Sequence, residues 1–367
     1  MIAAAGRMRA QTNTAAAPGP RAMIRNRTMT HPSVVLLFAA LAASLAPSVA
    51  TTGPAAPRAV AVTFDDLPGP GAGLLSNDVS ALRENTRKLL AAFRDAKVPV
   101  VGFVNEGKLF VEGETPATAE QRAGVLRLWV EAGHELGNHS YSHRDLNTQP
   151  LDWFEQDVVR GEPVTRRLLA EKGRRLRYFR HPFLHVGLDL DKRHAFESFL
   201  AGRGYEVAPV TIDNDEYVYA AAYADARRRG DAAMARRLAE DYLRYMESVF
   251  SFIEGVSRDR LGREIPQVLL LHANALNADR FPQLAAIMKA RGYRFVTLEE
   301  ALRDEAYRRP DTYVGPWGIS WLHHWEITEG RKRSPSPDPP DWVTKAYEAA
   351  ARSGASRPAE ARRPPLG

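Results

Sequence analysis

The chain has 367 residues, 44% hydrophobic and 26% charged, a balance that points to a globular protein and away from gross disorder or a membrane bundle. The formal charge of +6 and pI near 9.5 come from short, scattered runs such as Arg227–Arg229 and Arg362–Arg363, not from an aromatic-interleaved basic patch, so no nucleic-acid partner is expected. No cysteine is present, which excludes disulfides, thiol catalysis and a lipid-bearing N-terminal cysteine.

The first element in chain order reads as a signal peptide over residues 1–50. Arg25 and Arg27 precede a thirteen-residue apolar run from Val34 to Ala46, and Ser48-Val49-Ala50 stands where a signal peptidase would cut. The run is short of the roughly 20 residues a spanning helix needs. Residues 1–22 add nothing to this pattern, so the start is as well placed at Met23 or Met29. A secreted or periplasmic protein without a stable membrane anchor is expected, cleaved near Ala50.

From residue 59 short β-branched runs alternate with longer amphipathic stretches, the pattern of repeated βα units. Seven strands are predicted: Ala59–Phe64, Val98–Val104, His134–Asn138, Arg177–Arg180, Tyr205–Ile212, Val268–Leu271 and Tyr293–Thr297. The helices between them are placed at Asp78–Ala96, Ala119–Ala132, Leu151–Lys172, Lys192–Arg203, Ala232–Phe252, Arg280–Ala290 and Leu298–Tyr307. Gly133, Gly173 and Gly292 stand at helix ends, where a residue free to take left-handed backbone hands the chain to a strand. Seven parallel strands imply an α/β barrel one unit short of eight, with its chemistry at the C-terminal strand ends. One domain is assigned to residues 55–308, with a helical insertion over about 214–266. A Trp-rich extension follows at 309–330, carrying Trp317, Trp321 and Trp325, and then a tail at 331–367 whose Pro, Arg, Ser and Ala content predicts disorder.

Candidate chemistry falls where the strands stop. The first strand ends in Thr63-Phe64-Asp65-Asp66; adjacent carboxylates repel unless a cation or hydrogen bonds offset them. The third runs into Asn138-His139-Ser140-Tyr141-Ser142-His143. On one helical turn, histidines four apart would present both rings to a single metal. Ser140 stands where the metalloprotease pattern needs Glu, which disfavours a peptidase of that kind. Two histidines and one aspartate would leave open positions on a catalytic metal, zinc by default, with cobalt, nickel or iron also compatible. The fourth strand ends in Arg180-His181-Pro182-Phe183 and the sixth in Leu269-Leu270-Leu271-His272.

In this order, Asp65-Asp66 within TFDD, His139-Ser-x-x-His143, Arg180-x-Pro182 and Leu269-x-Leu271-His272 resemble the motifs of the polysaccharide deacetylases, the NodB-homology family also called carbohydrate esterase family 4. They span about 210 residues of the chain. The resemblance implies the distorted (β/α)7 barrel of that family. It implies that Asp66, His139 and His143 bind the metal, that Asp65 is the general base, that Arg180 orients Asp65, and that His272 is the general acid. An aspartate after the fifth strand, Asp213 or Asp215, would pair with His272. The implied reaction is removal of N-acetyl groups from a glycan such as peptidoglycan, a chitin-like polymer or a secreted amino-sugar polymer. The alternatives are an esterase or amidase of the same fold and a catalytically silent glycan-binding homologue. Three departures bear on substrate: Leu67 replaces the usual Gly, Phe183-Leu184-His185 replaces the usual Pro-Tyr-Gly, and a tryptophan is missing after the fifth strand, where Tyr217 or Tyr219 is available. Asn274, His181, His185 and the pair His323-His324 are candidates for substrate contact, with a structural role favoured for each.

Overall fold

A computed structural model describes residues 58–71 and 73–352. The signal-peptide segment and residues 353–367 lie outside them. All seven predicted strands are present: β1 (Arg58–Leu67), β2 (Val100–Val104), β3 (Glu135–Asn138), β4 (Tyr178–Phe179), β5 (Glu206–Val207), β6 (Gln267–His272) and β7 (Tyr293–Phe295). They form one parallel sheet in the order β5-β4-β3-β2-β1-β6, with β7 paired to the start of β1. Beyond β5 the chain leaves β4 after Ala208, whose N–H donates to Phe179 O, and bonds to β6 through Thr211 and Ile212. This switch curls the sheet into a distorted (β/α)7 barrel.

Strand alternation delivers the functional groups. Along β1, Val60, Val62 and Phe64 pack outward with the helices, whereas Ala59 and Ala61 join Val101, Phe103, Tyr178, Ala208 and Val268 in a separate apolar cluster. Thr63 and Asp65 continue the Ala59–Ala61 face, as Arg180 continues that of Tyr178 and His272 that of Val268. The polar residues are thus the upper layer of the barrel interior.

Outside the sheet lie α1 (Val79–Ala96), α2 (Pro116–Glu131), α3 (Leu151–Arg160), α4 (Pro163–Ala170), α5 (Leu190–Gly202), α6 (Glu216–Arg228), α7 (Ala232–Leu261), α8 (Ala275–Ala290) and α9 (Leu298–Leu302). Phe64 of β1, Phe93 of α1, Trp129 of α2 and Phe281 of α8 are fully buried, with ring centroids 4.7–5.9 Å apart. Each such aromatic contact adds about 1 kcal/mol to its area burial. The stretch predicted as one helix over Leu151–Lys172 is broken into α3 and α4, because Gly161 ends the first and Pro163 starts the second.

The insertion begins with α6, a helix not predicted, followed by α7. The predicted disorder of residues 331–367 is corrected over its middle: α11 (Asp341–Arg352) is a helix that buries Val343, Tyr347 and Ala350, with Tyr347 edge-on to Tyr217 of α6, ring centroids 6.1 Å apart. Its buried apolar residues fall on one stripe, which is enough once a partner surface exists. The Trp-rich segment contains α10 (Trp321–Thr328). Among the described residues no helix is long and apolar enough to cross a membrane.

Candidate active site

Of the six non-glycine residues with positive φ among those described, five surround one spot: Asp66, Ser140, His143, Phe183 and Leu184. Left-handed backbone costs such residues free energy and persists where the surroundings enforce it, commonly at functional sites. At Asp65–Asp66 the β1–β2 register shifts, three residues of β1 advancing against two of β2. Consecutive strand residues normally face opposite ways; the bulge and the φ of 72° at Asp66 bring both carboxylates to the barrel mouth.

Asp66, His139 and His143 form the one metal-competent group among the described residues, one ligand atom from each lying within 4.8 Å of the others. The histidines meet through a loop, not the helical turn predicted. Ser140 at φ 61° and His143 at φ 54° curl the segment so that the rings lie 4.9 Å apart. Asn138 Oδ1 accepts from Ser140 N at 2.7 Å, Asp157 Oδ2 from Ser142 N at 3.0 Å, and Asn105 Nδ2 donates to His139 O.

The donor set suits a divalent cation. His139 Nδ1 is 2.8 Å from Arg180 O, so it is the protonated nitrogen and Nε2 keeps its lone pair. Burial, and then its neighbour His143, holds His139 well below its usual pKa. His143 is lowered to about 4, chiefly by burial. Both rings are therefore neutral, as ligands must be. Burial alone would raise Asp66, but Lys108, with Nζ 2.7 Å from Oδ1, and then the nearby histidines outweigh it and keep the carboxyl ionised.

Arg180 is fully buried beneath the site. Its Nε donates to Ala208 O at 2.8 Å, Nη2 to Thr63 Oγ1 at 3.0 Å, and Nη1 lies 3.4 and 3.3 Å from the two oxygens of Asp65. The guanidinium sits 4.5 Å over the Phe103 ring, which occupies the space a side chain at Gly137 would need. Asp65 Oδ2 lies 3.8 Å from His139 Nε2.

His272 closes β6 as the register partner of Asp65. The carboxylate at its Nδ1 belongs to Glu216, a residue the sequence reading passed over in favour of Asp213 or Asp215. Glu216 Oε1 accepts from His272 N at 2.6 Å and Nδ1 at 2.9 Å. Its other contacts are Asn277 Nδ2 at 3.2 Å and, through Oε2, Asn274 Nδ2 at 2.8 Å. The signal in the sequence was an acidic residue in the first turn of α6, where carboxylates are favoured; α6 itself was not recognised.

Asp65, His139, His143 and His272 open on one cavity, which Asp213 and Asp215 also line. Asp213 and Asp215 thus share the cavity, and Tyr245 Oη lies 3.5 Å from Asp215 Oδ2. Of the two tyrosines considered for the missing tryptophan, Tyr217 lines the cavity, whereas Tyr219 is buried with its hydroxyl on Asp241. His181 and His185 line it too. Asn274 caps α8. His324 bonds Asp311 at 3.0 Å, and His323 packs near Phe252; neither lines the cavity.

The family model described as polysaccharide deacetylase matches residues 52–194. That segment belongs to the polysaccharide deacetylase family. It holds Asp65, Asp66, His139, His143 and Arg180; Glu216 and His272 lie beyond it. No curated protein matches the chain in sequence. Among solved structures, a family 4 carbohydrate esterase from Streptomyces lividans is 21% identical, with 66% of this chain and 95% of that chain covered and a TM-score of 0.38. The peptidoglycan deacetylase PdaC of Bacillus subtilis is 18% identical, covering 69% and 95% with a TM-score of 0.40. A family 4 pseudoenzyme from Bacillus anthracis is 16% identical, covering 67% and 66% with a TM-score of 0.41.

Proposed function

We propose that this protein is an exported, metal-dependent hydrolase that removes N-acetyl groups from a glycan. The observation that carries this reading is that two separately anchored groups suited to proton transfer, Asp65 and His272, line one cavity with His139 and His143 of the metal-competent trio. Asp66, His139 and His143 would hold the cation, zinc foremost, with cobalt or nickel as substitutes. The bound cation would supply Lewis acidity toward the acyl oxygen and toward water.

The chain's own residues supply the rest. Asp65, oriented by Arg180, takes the proton of the attacking water. Amine is a poor leaving group, so a proton must reach the nitrogen as the C–N bond breaks. His272 delivers it from Nε2, and Glu216 stabilises the protonated ring from the opposite side. Asp213 and Asp215, on the same cavity, add negative charge that favours that protonated form. A silent binding protein would have no need of this acid–base pair.

The test is acetate release by the purified mature protein from chitooligosaccharides, peptidoglycan and acetylxylan, with and without a chelator. Release that stops with chelator and returns with zinc or cobalt supports the proposal. Release from acetylxylan alone would make the protein an esterase, and no release from any of the three after metal addition would end the hydrolase reading.

A further inference from the structure

A second histidine–carboxylate pair stands at the same cavity as His272. His185 lines the cavity and is 4% exposed. Its Nδ1 lies 2.8 Å from Asp145 Oδ1. A carboxylate in an ion pair only accepts, so Nδ1 carries the proton toward Asp145, and Nε2 is the nitrogen left for the cavity.

The pair is built into the site. Asp145 Oδ1 also accepts from Asn147 N at 2.8 Å. Asn147 in turn clamps the loop that carries His185: Gly187 N donates to Asn147 Oδ1, Asn147 Nδ2 to Gly315 O, and Gly315 N to Gly187 O, each at 3.0 Å. Gly318 lies so close to this loop that a Cβ there would stand 1.7 Å from Phe183 O. The ring of Phe183 separates His185 (5.7 Å) from the metal-ligand candidate His143 (4.5 Å). His185 is therefore fixed one aromatic ring away from the metal trio. A polar ring nitrogen at a cavity wall takes a hydrogen bond from whatever fills the cavity, which an apolar residue in the same space would not.

We propose that His185, oriented by Asp145, is a specificity-determining residue that hydrogen-bonds a sugar hydroxyl of the substrate through Nε2. A hydroxyl both donates and accepts, so it complements this nitrogen, whereas an acetyl methyl does not. The inference rests on the deacetylase reading and adds that the enzyme recognises the sugar beside the acyl group, not the acyl group alone.

The test compares an N-acetylated chitooligosaccharide with 4-nitrophenyl acetate, which has no sugar hydroxyl, for wild type, His185→Phe and His185→Gln. In His185→Phe, kcat/KM on the sugar should fall about tenfold or more, with 4-nitrophenyl acetate hydrolysis and metal content retained; His185→Gln should recover part of the loss. An equal fall on both substrates would mean a structural role and overturn the proposal, as would no fall on the sugar. Wild type alone provides a check that does not depend on either variant folding: among monodeoxy analogues of the acetylated sugar, one should lose about tenfold, and if none does the proposal fails. Absence of acetate from every sugar with the wild type would instead remove the deacetylase reading and this inference with it.

Discussion

Asp65 and His272 are register partners on adjacent parallel strands, each held by its own buried counter-charge, Arg180 for the first and Glu216 for the second. This sets the two groups proposed as proton acceptor and proton donor side by side while keeping their anchors apart. Asp65→Asn should lower turnover by roughly 10²–10⁴-fold with one metal still bound per chain, as measured by acetate release and elemental analysis of the same preparation. Loss of metal in that variant would make Asp65 a ligand.

Glu216→Gln keeps the shape but removes the charge at His272 Nδ1. Turnover of an N-acetyl substrate should drop roughly 10–100-fold, and turnover of 4-nitrophenyl acetate far less, because a nitrophenolate leaves without a proton. Equal losses on both would show that His272 does not protonate the leaving group. Glu216→Ala should also destabilise the fold, since His272 N, Asn274 and Asn277 lose a buried acceptor, at about 1–3 kcal/mol per stranded group; urea unfolding measures this.

His139→Gln removes one of three ligands. Metal affinity should fall by more than the roughly 10–100-fold that loss of an outer partner costs, as read by competition with a chromophoric chelator. His181→Gln, in the same cavity but outside the trio, should leave affinity unchanged.

His134 lies away from the site, edge-on to the Phe93 and Trp129 rings, and its pKa is lowered to about 4 by burial and then by Arg174. A histidine whose folded pKa is depressed binds its proton first in the unfolded chain. Stability is therefore independent of this group above about pH 6.5, falls as pH drops from there to about 4, and levels off below. The span corresponds to a loss on the order of 3 kcal/mol. Urea unfolding of wild type and His134→Leu across that range should show a shallower slope in the variant; parallel slopes would mean that His134 has the same pKa in the folded and the unfolded chain.

The strands and the metal trio were legible in the sequence because both are written locally. Val60, Val62 and Phe64 announce β1, and His139 and His143 are four residues apart. The route by which those histidines meet was not legible, because the left-handed backbone of Ser140 and His143 is enforced by Asn105, Asn138 and Asp157 from other elements. Glu216 was missed for a related reason. The run Glu216–Ala226 is buried on nearly every side, so it shows no amphipathic period, and without a helix there the choice between Asp213, Asp215 and Glu216 had no geometric basis. Residues 341–352 looked like tail because their few apolar side chains gain meaning only against α6.

Residues 311–321 tie together parts of the barrel made at different times. Arg193 of α5 holds Asp311 and Tyr313 O, Gly315 joins Gly187 and Asn147, and Ser320 and Trp321 bond to Thr211 and Val210. The three metal-competent side chains all lie in the first 143 residues, but Gly318, which also lines the pocket, arrives about 175 residues later. During synthesis the chain thus carries the candidate metal ligands long before the contacts that complete the pocket can form.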